Sequence, residues 1–185
     1  MELLFATTNG GKFAEAGVIL KEKGIAVKRL HFDYNEIRSD SLEEIAGDAV
    51  LAAYAVCGKP VFVEDAGLFI KSLNGFPATY SGWAYKKIGV EGILRLMKGV
   101  QKREAEFRSV IAYHDGSATK TFTGVCKGSI AEEARGEGGF GYDPVFIPEG
   151  KNQTFAENII FKNRLSHRYN SLIRFSEFLS KQVDY

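Results

Sequence analysis

The N-terminal strand, turn, helix and strand pattern constrains this chain most. Leu3-Leu4-Phe5-Ala6 is an apolar run of strand length, followed by the turn composition Thr7-Thr8-Asn9-Gly10-Gly11. From Lys12 to about Lys23, Phe13, Ala16 and Leu20 recur at i, i+3 and i+7, the spacing of a helix with one buried face. Gly24 stops that helix, and Ile25–Phe32 reads as a second strand. Ser41-Leu42-Glu43-Glu44 is a capping box that predicts a helix to about Val56, with Gly58 ending it and Pro60 beyond. Val61-Phe62-Val63 then predicts a strand ending at Glu64-Asp65. A short helix is expected over Gly89–Lys98. Glu104–His114 alternates as a strand, Asp115-Gly116 is a hairpin turn, and Thr119–Ile130 returns. Pro144–Ile147 predicts a short strand, and Ser166–Lys181 a helix with Leu172, Phe175 and Leu179 facing inward. Strands alternating with helices early, and a hairpin later, predict an α/β fold with a mixed sheet. With no repeat, low-complexity tract or linker, one domain over residues 1–185 is expected.

Charge excludes some partners. Lys and Arg number 24 against 23 Asp and Glu, a net charge of +1, too little for a nucleic-acid binder working by bulk electrostatics. No apolar run approaches the roughly 18 residues of a membrane span, and Met1–Ala6 lacks the basic start of a signal peptide. A cytoplasmic protein is expected. Cys57 and Cys126 lack CxxC neighbours and read as small core residues.

Two motif look-alikes fail on context. Gly136-Glu137-Gly138-Gly139-Phe140-Gly141 matches GxGxxG, but Pro144 disfavours the helix a dinucleotide site needs. Gly10-Gly11-Lys12 resembles the end of a P-loop, but Phe13 stands where Ser or Thr belongs and Ala6 where Gly belongs.

Four segments carry chemistry. Thr7-Thr8-Asn9-Gly10-Gly11-Lys12 offers hydroxyls, N–H groups, a helix N-terminus and an ammonium, a set suited to an anion or equally to a capped turn. Glu36, Glu64 and Asp65 follow predicted strands. Consecutive carboxylates there repel, which a divalent cation such as Mg²⁺ would relieve, though Asp65 also suits a turn cap. In Gly139-Phe140-Gly141-Tyr142-Asp143-Pro144, Phe140 between glycines is a stacking platform for a planar base, unless its ring folds into the core. Lys162-Asn163-Arg164-Leu165-Ser166-His167-Arg168 supplies donors at the start of the last helix, or a solvated helix face. Anion, metal, aromatic and donor sites together point to a nucleoside triphosphate.

These motifs, in this order, resemble the inosine triphosphate pyrophosphatase family over about Leu3–Leu179. The resemblance carries Thr7-Thr8-Asn9…Lys12, Val63-Glu64-Asp65-Ala66-Gly67-Leu68, Gly139–Pro144 and Ser166-His167-Arg168. It implies an elongated mixed sheet flanked by helices, two lobes around a central active-site cleft, and a homodimer. It implies Mg²⁺-dependent hydrolysis of ITP, dITP and XTP to the monophosphate and pyrophosphate. By matching positions it implies Thr7, Thr8, Asn9 and Lys12 on the triphosphate, and Glu36, Glu64 and Asp65 at the metal, with Asp65 also matching the acid that activates water. Phe140, Tyr142 and Asp143 fall at the base, and Lys162, Ser166, His167 and Arg168 at late base and phosphate contacts. Two departures stand out. Gly47-Asp48-Ala49-Val50 lacks the family's helix lysine, and Pro77-Ala78-Thr79-Tyr80-Ser81-Gly82-Trp83 keeps Ser81 as a candidate contact but lacks an arginine, which Lys86 or Lys87 could replace. Rival readings are a Maf-like pyrophosphatase acting on pyrimidine or modified nucleotides, and a non-catalytic nucleotide or RNA binder.

Overall fold

Asn9 opens the first helix in the computed structural model of the chain, which describes residues 2–183. Met1, Asp184 and Tyr185, part of the expected domain, lie outside the described residues, and so does the first position of the Met1–Ala6 stretch. β1 (Glu2–Ala6) leads through the turn into α1 (Gly10–Lys21). The Asn9 side-chain oxygen accepts from the Lys12 N–H at 3.0 Å, so the helix starts at Gly10, two residues before the expected Lys12. β2 (Ala26–Leu30) runs parallel to β1 with Leu4 opposite Lys28. α2 (Leu42–Cys57) begins as its capping box predicts, Ser41 Oγ accepting the Glu44 N–H at 3.2 Å, and ends on Gly58 at a φ of 60°.

The next strand corrects the expected boundary. β3 spans Val61–Ile70 and does not end at Glu64-Asp65. It continues because Leu68 and Phe69 pair antiparallel with the two-residue β4 (Pro77–Ala78), which has too little sequence to announce itself. A Cβ on Gly67 would stand 2.3 Å from the Ala78 carbonyl oxygen, so only glycine permits this approach. The two carboxylates therefore lie mid-strand on alternate faces, Glu64 buried and Asp65 half-buried.

α3 (Ser81–Leu96) also starts earlier than expected and bends at Gly89, whose φ and ψ are 60° and −164°. Gly82, Gly89 and Gly92 dilute the helical pattern along its length. β5 (Glu104–His114) and β6 (Thr119–Ile130) match their expected bounds. Their turn is closed by Asp115, which accepts the N–H groups of Ser117 and Ala118 and whose carboxyl is held down at about 2, chiefly by those bonds. A 3₁₀ turn occupies Asp143–Val145, so β7 is Phe146–Pro148 and starts later than the expected Pro144. α4 (Ile159–Leu165) was absent from the sequence reading; Asn158 caps it by accepting the Phe161 N–H. α5 runs His167–Val183.

Among the described residues, seven strands form one sheet in the order β2-β1-β3-β5-β6-β7, with β4 paired to β3. β1 is parallel to β2 and β3, and β7 is antiparallel to β6, so the sheet is mixed. The chain divides into two compact units. The first takes the residues up to Asp65, Ser109–Gly124 and those from Arg168 onward. Its core sets Leu20, Phe62 and Ile111 against the expected stripe Leu172, Phe175 and Leu179, with Phe5 and Phe62 stacked at 4.4 Å. The second takes Ala66–Arg108 and Val125–His167. Its core gathers Leu68, Ile93, Met97, Phe107, Phe146 and Phe155, with Cys126 buried among them. Cys57 is only half-buried, at the end of α2. No described helix is long and apolar enough to cross a membrane.

Candidate active site

In the first unit the β1–α1 turn presents its N–H groups at a helix start. Thr7 Oγ1 accepts the Asn9 N–H at 3.1 Å. Arg29, on the neighbouring β2, grips the turn from its carbonyl side: Nε donates to Thr7 O at 3.0 Å, and Nη2 donates to Thr8 O. With both carbonyls occupied, the turn holds one conformation. A lysine could not make the two-pronged contact. Arg29→Lys should therefore destabilise the protein nearly as much as Arg29→Ala, by about 1.5–3 kcal/mol, the worth of a hydrogen bond to a charged group. Urea denaturation checks this; near-wild-type stability of Arg29→Lys would show that charge alone matters.

Lys12 projects from the first turn of α1 onto β3. Its Nζ is 2.9 Å from Glu64 Oε2, donates to the Glu64 carbonyl at 2.9 Å, and lies 4.0 Å from Asp65 Oδ1. The buried Glu64 carboxylate is also bound on its other side. Its Oε1 accepts from Ser109 Oγ at 2.7 Å and lies 3.2 Å from Arg168 Nε. Arg168 Nη1 in turn reaches Glu15 Oε2 at 2.5 Å. Glu64 is thus the centre of a buried group of two carboxylates and two cations. Asp65, on the opposite face of the strand, keeps a fifth of its side chain exposed.

A third feature of this unit is Tyr34. Its phenol is pushed above the usual tyrosine range, first by burial and then by the negative fields of Glu36, Asp48 and Asp65. Those carboxylates come from the segment after β2, from α2 and from β3, so three elements converge on one phenol. No local signal marked Asp48, which lies in the Gly47-Asp48-Ala49-Val50 segment of α2 that lacks a lysine. Among the described residues no group of three potential ligands is closed around a metal position. The donor chemistry nonetheless suits a hard divalent ion: carboxylate oxygens with room for substrate phosphates, as Mg²⁺ prefers. Of the three expected acids, Glu64 is bound by Lys12, Arg168 and Ser109, and Asp65 lies 4.0 Å from Lys12 Nζ.

In the second unit Phe140 sits half-buried on the glycine loop. The Asp143 carboxylate organises that loop, Oδ2 accepting the Phe140 N–H at 2.7 Å and pairing with Lys162 Nζ at 2.5 Å. Both partners are almost fully buried. The Lys162 ammonium lies 4.1 Å from the Phe140 ring centroid, a cation–π contact. Gly139 is at a φ of 73°, and a Cβ there would stand 2.1 Å from Asp143 Oδ2. His167 stacks on Phe107, centroids 4.6 Å apart and planes 16° apart, which fixes the imidazole plane. Ser166 is buried and its N–H donates to Lys162 O.

Ser81 and Tyr142 have partners within the fold. Ser81 Oγ accepts the Leu68 N–H at 2.8 Å and donates to Ala78 O at 2.6 Å. The Tyr142 hydroxyl donates to Ser81 O at 3.3 Å, and burial pushes it up to about 12. The first unit therefore holds Thr7, Thr8, Asn9, Lys12, Glu36, Glu64, Asp65 and Arg168. The second holds Ser81, Phe140, Tyr142, Asp143, Lys162, Ser166 and His167. Arg29, Glu15 and Ser109 were missed, since each acts on a partner remote in sequence.

Residues 3–178 match the model of the Ham1 family. The chain is 52% identical to a dITP/XTP pyrophosphatase of Methanopyrus kandleri, covering 99% of this chain and 98% of that one. It is 48% identical to a protein of the same name from Thermococcus kodakarensis, covering 99% and 100%. Among solved structures, the Ham1 protein of Staphylococcus aureus superposes with a TM-score of 0.84 at 31% identity, covering 98% of this chain and all of that one. That of Coxiella burnetii gives 0.85 at 29%, covering 98% and 99%.

Proposed function

The chain belongs to the Ham1 family, and from that premise we propose that it is a pyrophosphatase of non-standard purine nucleoside triphosphates. It hydrolyses dITP, XTP and ITP to the monophosphate and pyrophosphate, clearing them from the nucleotide pool. Full-length similarity to relatives named for that reaction carries this reading. Each part of that reaction has a candidate residue, and residues 1–185 act as one pyrophosphatase domain.

Water attacks the α-phosphorus; the bond to the bridging oxygen breaks, and pyrophosphate leaves with the electron pair. Asp65 orients that water and takes its proton. Lys12 and the N–H groups of Thr8 and Gly10 stabilise the charge that develops on the leaving pyrophosphate. Glu36 and Asp65 would hold Mg²⁺, which when bound neutralises phosphate charge. Phe140 stacks on the purine, with Lys162 and Asp143 fixing its loop. His167 and Arg168 offer donors to a 6-oxygen. The adenine amino group is itself a donor and cannot accept from them, and sites built on such pairing discriminate by roughly 10⁴–10⁵.

The same reading puts the protein in the cytoplasm and pairs it with a second copy. Trp83, 62% exposed, and Tyr80 lie three residues apart at the start of α3, an aromatic surface suited to that contact. The test is to incubate the purified protein with Mg²⁺ and, separately, dITP, XTP, ITP, GTP and ATP, then assay pyrophosphate and orthophosphate. Pyrophosphate mainly from the first three is expected. Orthophosphate, or equal turnover of ATP, overturns the reading. Sedimentation of the same preparation at the monomer mass would remove the dimer.

A further inference from the structure

Ser109 opens the part of β5 that belongs to the first unit, and its residue is completely buried. The next three residues, Val110, Ile111 and Ala112, are buried and apolar. Packing alone would be served there by another small apolar side chain, because a buried hydroxyl is unfavourable unless hydrogen-bonded. This hydroxyl is bonded: it donates to Glu64 Oε1 at 2.7 Å and lies 3.0 Å from Ser171 Oγ of α5. Ser171 is also fully buried and 3.1 Å from the Arg168 carbonyl.

The consequence lies on the other side of the same carboxylate. With Oε1 held by Ser109 and faced by Arg168 Nε, and Oε2 accepting from Arg168 Nη2 at 3.5 Å, the carboxylate plane is set and Oε2 meets Lys12 Nζ at 2.9 Å. Lys12 has its own flexible stem, so its ammonium is placed by two acceptors, the Glu64 carbonyl and Oε2, and the second is the one that Ser109 orients. We infer that Ser109 is a positioning residue for the pyrophosphatase reaction, acting through Glu64 to hold the Lys12 ammonium where leaving-group charge develops. Ser109 touches no substrate. This inference rests on the function proposed above.

A double-mutant cycle on kcat/KM for dITP tests it, using Ser109→Ala, Lys12→Ala and both together. Ser109→Ala alone should lower kcat/KM on the order of tenfold, the worth of a lost bond to a charged group. In the Lys12→Ala background the same change should cost less than about twofold, because the residue it positions is gone. Ser109→Thr retains the hydroxyl and should return to within a few-fold of wild type. Full activity of Ser109→Ala would overturn the inference. So would an equal loss in both backgrounds, which marks a merely structural role, or a Ser109→Thr protein that melts like wild type yet is as slow as Ser109→Ala. If the wild-type protein released no pyrophosphate from dITP or XTP, the functional reading would fall. Ser109 would then be judged by calorimetric binding of magnesium pyrophosphate, weakened by Ser109→Ala and not by Ser109→Thr; equal binding by all three would end that inference too.

Discussion

Asp65→Asn should lower kcat for dITP by at least about a hundredfold, the lower end of what a positioned general base contributes. The carboxamide keeps the shape of the side chain but cannot take a proton from water. The fold should survive, since Asp65 is partly exposed and its ion pair with Lys12 stands at 4.0 Å, the outer limit of such a contact. A pair at that separation, with both side chains still reached by solvent, contributes up to about 1 kcal/mol. The expected pattern is a low kcat, a KM within a few-fold of wild type and an unchanged melting curve. Turnover within tenfold of wild type would remove Asp65 from the reaction. Recovery of turnover on raising Mg²⁺ concentration would assign it to holding the ion and not to moving the proton.

The second large effect falls on stability. Arg168→Ala leaves Glu64, whose side chain is 1% exposed, without one of its two cations, and leaves Glu15 without its arginine. Removing one member of a buried ion pair costs about 3–5 kcal/mol, mainly because the remaining charge stays out of water. For a chain of this length that is a fall in melting temperature of about 6–20 °C. Arg168→Met combined with Glu64→Gln removes both charges of the central pair and should be less destabilising than Arg168→Ala alone. Urea denaturation of the three proteins measures the difference. A loss below about 1 kcal/mol for Arg168→Ala would mean that the pair contributes no net stability. The prediction concerns the guanidinium as a structural cation, a role separate from its proposed donors to the base.

Local chemistry was legible from sequence wherever it is local in the fold. Asn9, Ser41 and Gly58 cap their helices as their residue types predict, and the Asp115 hairpin joins the two strands drawn from alternation. The limits of β3 were not legible, because Glu64-Asp65 resembles a strand end unless it is known that Leu68 and Phe69 will find β4. Tertiary pairing overrode the polar break. The site followed the same division. The turn, the glycine loop and the Ser166-His167-Arg168 segment were visible as motifs. What binds them was not: Lys12 reaches a partner 52 positions away, Ser109 one 45 away and Arg168 one 104 away. Periodicity reports which face of an element is buried, but not which buried polar group meets which.

Phe140 is anchored at its own amide by Asp143, faces Lys162 from its ring, and follows a glycine whose place no other residue could take. Immobilising a mobile aromatic when a ligand binds costs on the order of 0.5–1.5 kcal/mol. Here that ordering is completed during folding, when the Asp143–Lys162 pair closes. A planar ligand stacked there would meet a ring already held in place, and its stacking energy would go into affinity instead of into arresting a loop.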